Sequence, residues 1–159
     1  MNVIIRSQVE ATIELQRKPG FWHVVSIREP LENAAIDRMK EKAVSFIPLS
    51  FHDIWSETQT GNGRYVLASR EQVAEVLAWA KGKDNILVHC HAGISRSSAM
   101  AFVIACQVMP VADALKILDF KVHWPNTHIV ALGEAILGKK ILQEVKDAMH
   151  DFLLHNPIE

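Results

Sequence analysis

Residues 85–100 read NILVHCHAGISRSSAM, and the fold follows from how this stretch is parsed. Ile86, Leu87 and Val88 are apolar on both faces of an extended chain, the pattern of a central parallel strand covered on each side. Ser97 to Met109 is apolar almost all round, as a helix inside a core must be. Between them lie His89, Cys90 and a short run to Arg96 and Ser97. A strand that passes through a tight loop into a buried helix is a building unit of α/β folds.

The same alternation continues outward. Val3 to Arg6, Trp22 to Ile27 and Val44 to Leu49 are short apolar runs that predict further strands. Ser7 with Glu10, and Ser69 with Gln72, have capping-box spacing and open predicted helices. The first should end at Pro19-Gly20; the second turns Val73, Val76, Leu77 and Ala80 inward and stops at Gly82. Leu31, Ala35 and Met39 mark a helix face between the second and third strands. Ser50 to Ala68 has no convincing period, and a loop of that length inside a domain is usually functional. Toward the C-terminus, Val111, Leu115, Leu118 and Val122 share one helical stripe, and Ile141, Val145, Ala148 and Phe152 share another. Asn126-Thr127 offers a cap for a short helix reaching about Leu137. The expected architecture is α/β and three-layered: a central, mainly parallel twisted sheet of four to five strands, flanked by helices, with a helical C-terminal third.

At 159 residues and 49% hydrophobic, the chain suits one domain spanning 1–159, large enough to fold without a metal or disulfide. Its net charge of −1 gives no electrostatic case for nucleic acid or membrane binding. Cys90 and Cys106 cannot build a disulfide framework, which points to a reducing compartment. The opening MNVIIRSQVE lacks a signal peptide's charged region and cleavage site, and the longest apolar run, Ala99 to Val111, is too short to span a membrane. A soluble, cytoplasmic protein is expected.

The Cys90–Ser97 loop is read here as an anion cup. Its amides can point inward as a nest, backed by the positive end of the following helix. Gly93 sits where a tight curve calls for glycine, and Arg96 supplies a planar fork for two phosphoryl oxygens. Such a positive environment favours thiolate over thiol at Cys90. Attack on phosphorus would then form a thiophosphate ester that water must hydrolyse. Ser97 can hydrogen-bond the sulfur as it leaves, and His89 is placed to brace the loop through its ring nitrogens.

H-C-x5-R-S resembles the signature of the cysteine-dependent protein tyrosine phosphatases and dual-specificity phosphatases, and HCHAGISRS is close to the form of their small bacterial and phage members. The likeness extends more loosely through FIPLSFHDIW before the loop and WPNTHIVALGEAI after it. It implies a mainly parallel sheet flanked by helices, no metal or other cofactor, and a phosphate site formed by His91, Ala92, Gly93, Ile94, Ser95 and Arg96 around Cys90. It also implies an upstream aspartic acid that protonates the leaving group and then activates water. Asp53 is the candidate, with Glu57 as the competing carboxylate; Asp84 reads as a turn residue. Asn126 lies in a segment resembling the family's loop against the phosphate site, which suggests a supporting role.

The remaining candidates have plainer readings. Cys106 on its apolar helix reads as a buried small side chain. His52 could tune Asp53, and Trp55 could line the substrate mouth, while Trp22, Trp79 and Trp124 read as core or edge packing. His123, His128, His150 and His155 lack metal-ligand spacing and read as surface residues. The expected activity is phosphomonoester hydrolysis on phosphotyrosine proteins or peptides, extending to phosphoserine or phosphothreonine. The alternatives are rhodanese-like sulfur transfer and a phosphate-binding module without turnover. Oligomeric state is left open.

Overall fold

A computed structural model describes residues 1–31 and 36–158. Four strands, β1 (Val3–Arg6), β2 (His23–Arg28), β3 (Ser45–Ser50) and β4 (Ile86–His89), form a parallel sheet in the order β1-β4-β2-β3. Cys90 leaves β4 between two neighbouring strands, at the carboxyl edge of the sheet where open α/β folds place ligands.

Strand alternation divides the core into two layers of helix. Ile5, Val25, Ile27, Ile47, Leu49, Ile86 and Val88 share a core with α3 (Arg70–Ala80), α4 (Arg96–Val108) and α6 (Thr127–Leu137). Val24 and Leu87 point the other way, against Ala11 and Leu15 of α1 (Gln8–Arg17) and Met39 of α2 (Ile36–Lys42). The expected three-layer α/β architecture is therefore present. Among the described residues, no helix is long and apolar enough to cross a membrane.

Local signals set several boundaries as expected. Ser7 Oγ accepts the Glu10 amide at 3.1 Å while the Glu10 carboxylate accepts the Ser7 amide at 2.9 Å, and Ser69 with Gln72 repeats the box at 3.1 and 2.9 Å. Asn126 Oδ1 accepts the Ile129 amide at 3.1 Å and starts α6. Gly133 lets α6 approach α4 closely, because a Cβ there would lie 2.6 Å or less from both Val103 methyls. That approach brings the α6 N-terminus, and Asn126 with it, toward the start of α4.

Two sequence expectations need correction. The proposed helix face on Leu31, Ala35 and Met39 is not a unit: Leu31 is exposed ahead of α2, Met39 is buried within it, and Ala35 lies outside the described residues. The Val111–Val122 stripe breaks after α5 (Val111–Ala114) and a 3-10 turn at Leu115–Ile117; Leu118 is extended and Val122 exposed. The reason is local competition for backbone groups. Asp119 Oδ1 accepts the Lys121 amide at 3.0 Å and His123 Nδ1 accepts the Asp119 amide at 2.9 Å, which closes a turn instead of a helix. The C-terminal stripe does form a helix, α7 (Leu142–His155), with Val145 and Met149 buried.

Candidate active site

Cys90 is buried at the end of β4, with its Sγ 3.1 Å from Ser97 Oγ and accepting the Gly93 amide at 3.3 Å. The loop around it is anchored from outside. The Gln8 amide donates to the His91 carbonyl at 3.1 Å, Trp124 to Ile94 at 2.9 Å, and Asn126 to Ser95 at 3.1 Å. Gly93 has φ +72°, and a Cβ would sit 2.6 Å from Ser7 N and 2.8 Å from the Arg6 carbonyl carbon, so only glycine fits. The first amides of α4 have no intrahelical partner and are free to face an anion.

Arg96 opens α4 yet is only 5% exposed. Its Nη1 donates to the Phe51 carbonyl at 2.9 Å, and its Nη2 lies 3.8 Å from Glu29 Oε1. Phe51 is itself fixed by donating its amide to the Arg28 carbonyl at 3.0 Å, so the carboxyl ends of β2 and β3 orient the guanidinium.

Asp53, two residues beyond Phe51, also reaches the loop. Its Oδ1 accepts from the Ser95 hydroxyl at 2.7 Å and from Asn126 Nδ2 at 2.9 Å; Asn126 Nδ2 also donates to the Ile54 carbonyl at 3.0 Å. Next to it, His52 clasps the base of the long loop: its amide donates to the Val66 carbonyl and its Nδ1 accepts the Val66 amide, both at 2.8 Å. Glu57 instead opens a 3-10 turn farther along that loop. A cleft of about 280 Å³ is lined by Cys90, Arg96, Asp53, Glu29 and loop residues His91, Ala92, Ile94 and Ser95.

Behind the loop runs a buried polar chain. Arg28 Nε donates to Ser26 Oγ at 2.9 Å, Ser26 Oγ lies 2.7 Å from His89 Nε2, and His89 Nδ1 lies 3.3 Å from the Cys90 carbonyl. Burial is the main cause that lowers the His89 pKa to about 4, aided by the charges of Arg28 and Arg96 and opposed by the hydrogen bond to Cys90. The ring is therefore neutral, and one tautomer satisfies every contact. Nδ1–H donates to the Cys90 carbonyl, and Nε2 accepts from the Ser26 hydroxyl.

With the fold and this cleft in place, comparison with solved structures is informative. The human tyrosine phosphatase-like serine/threonine/tyrosine-interacting protein superposes with a TM-score of 0.55 at 19% identity, over 89% of this chain and 85% of that one. Human DUSP28 gives 0.54 at 16%, over 92% and 94%. The fold is that of the dual-specificity phosphatases. PTPMT1 in complex with PI(5)P shares it, with a TM-score of 0.54 at 13% identity over 92% of this chain and 94% of that one. No protein-family model matches the sequence, and no curated protein does.

Within this phosphatase fold, the residues singled out in the sequence converge: Cys90, Arg96 and Asp53 line one cleft, Ser97 backs the Cys90 sulfur, and His89 and Asn126 hold Cys90 and Asp53 from behind. Cys106 is fully buried, and burial pushes its thiol up to about 12. His123 and His128 are half-buried rather than on the surface, the latter with Nε2 2.8 Å from the Ala68 carbonyl, and Trp124 is exposed rather than packed away. Three features escaped the sequence reading: Glu29 beside Arg96, the Ser95 side chain on Asp53, and the Ser26–Arg28 support of His89. Ser26 and Arg28 did carry a signal, as polar residues in the carboxyl half of a buried strand.

Proposed function

We propose that the chain is a phosphomonoester hydrolase acting on phosphotyrosine in proteins or peptides, with phosphoserine and phosphothreonine as further substrates of its shallow cleft. The observation that carries this reading is the 2.7 Å contact from Ser95 to Asp53, which holds a carboxylate over the cleft that contains Cys90 and Arg96. Amides of His91 to Ser95 and the start of α4 cradle the phosphoryl oxygens, and Arg96 grips two of them.

Cys90 attacks phosphorus as thiolate and forms an S–P bond. The P–O bond to the leaving group breaks as Asp53 gives that oxygen its proton. With Oδ1 occupied by Ser95 and Asn126, the proton belongs on Oδ2. In the second step the Asp53 carboxylate takes a proton from water, the water oxygen attacks phosphorus, and the S–P bond breaks. Inorganic phosphate leaves, and the sulfur returns to the Ser97 hydroxyl and the Gly93 amide. His89 and Asn126 act as positioning residues. On the form of its HCHAGISRS loop we group the chain with the small bacterial or phage members, and its two free cysteines suit a reducing cytoplasm.

A second reading, phosphate binding without turnover, is favoured by the double hold on Asp53 Oδ1, which could restrain the acid. Steady-state assays separate the two. Cys90→Ser abolishes hydrolysis of phosphotyrosyl peptide but retains binding, and Asp53→Ala slows substrates with poor leaving groups far more than an activated aryl phosphate. Full activity in Cys90→Ser, or an equal loss on both substrates in Asp53→Ala, would overturn the corresponding role.

A further inference from the structure

The proposed phosphate cleft is lined by groups of both signs. Its titratable and charged lining is Arg96, His91 and two carboxylates, Asp53 and Glu29. Asp53 is tied down by Ser95 and Asn126. Glu29 has no part in the proposed bond-making. It follows β2, its side chain is 44% exposed, and it holds its Oε1 3.8 Å from the Nη2 of a buried Arg96. The guanidinium therefore forms the floor, and the Glu29 carboxylate stands above it at the cleft's mouth.

Building on the phosphatase reading above, we infer that Glu29 is a specificity-determining residue that selects a single phosphoryl group flanked by basic side chains. It would disfavour acidic phosphopeptides and polyanionic substrates. A phosphate on Arg96 offsets the charge that Glu29 faces, so the carboxylate next meets whatever flanks the phosphoryl group. Lysine or arginine there is attracted; glutamate or a second phosphate is repelled. A unit charge at such a partly exposed distance changes affinity by about three- to tenfold at low ionic strength, and salt erodes the effect. A merely propping role on Arg96 predicts no such dependence on the flanks.

The test uses two phosphotyrosyl peptides that differ only in lysine against glutamate at the two flanking positions. Their affinities for Cys90→Ser, read by fluorescence anisotropy at low salt, should favour the lysine peptide by roughly tenfold. Adding Glu29→Gln should bring the ratio near unity, and Glu29→Lys should invert it. Equal binding of the two peptides, or a ratio unchanged by Glu29→Gln, would overturn the inference. Turnover of the same peptides by the wild-type protein is read separately. Charge-ordered binding without turnover would reject the hydrolase reading and keep the charge preference; binding of neither peptide would reject both.

Discussion

His89 offers a quantitative test of the chain that supports the cysteine. The ring is fully buried and its pKa is lowered from 6.5 to about 4, with burial the largest cause. Because the folded value is depressed, the unfolded chain takes up the proton first as pH falls. The stabilisation is complete above pH 6.5, is lost as pH falls from 6.5 through 4, and changes no further below that. The gap of about 2.5 between the two values, at about 1.4 kcal/mol per pH unit, corresponds to roughly 3 to 4 kcal/mol in all. Most of it should be gone by pH 4.5. Urea unfolding followed by tryptophan fluorescence at pH 7 and pH 4.5, for wild type and His89→Asn, isolates this contribution. His23 and His123, whose values burial also lowers, titrate in both proteins and cancel on subtraction. The variant should start less stable, having lost the 2.7 Å contact with Ser26, but should lose roughly 2 to 3 kcal/mol less on acidification. Equal losses in the two proteins would refute a neutral, buried His89.

Gly93→Ala should lower turnover at least about tenfold and reduce Tm by several degrees, since positive φ costs about 1 kcal/mol and the added methyl meets Ser7 and Arg6 backbone; an unchanged rate would contradict the tight-loop account. Asn126→Asp should keep the cap on Ile129 while placing a carboxylate against Asp53, so kcat should fall by more than stability does, as paired kinetics and thermal melts will report. Cys106, with its thiol pushed up to about 12 by burial, should resist alkylation at pH 8 in the folded protein, so mass spectrometry should find any label on Cys90. Label on native Cys106 would contradict the packing of α4.

Much of this fold is written locally. Capping boxes at Ser7–Glu10 and Ser69–Gln72, and the Asn126 cap, announce three helix starts through contacts three residues apart. The buried strand before Cys90 and the apolar helix after Arg96 are legible for the same reason: one continuous stretch holds the signal. What failed was decided by other parts of the chain or by competing polar groups. Leu118 fits a helical stripe, but Asp119 and His123 draw the following amides into a turn. Glu29 looks like an ordinary charged residue after a strand; only the order β4-β2-β3 brings it beside Arg96. The contact between Ser95 and Asp53 spans 42 positions and depends on where the long loop returns, which no periodicity encodes.

The central claim is covalent: Cys90 carries phosphorus during turnover. The most direct measurement is rapid acid quench of Asp53→Asn mixed with an activated aryl phosphate, followed by mass spectrometry of the Cys90 peptide. Phosphocysteine at Cys90 is the predicted result, since the variant can form the thiophosphate on an activated substrate but hydrolyses it slowly. No phosphate on Cys90 while product accumulates, or a persulfide on Cys90 with sustained conversion of thiosulfate and cyanide to sulfite and thiocyanate, would contradict the account.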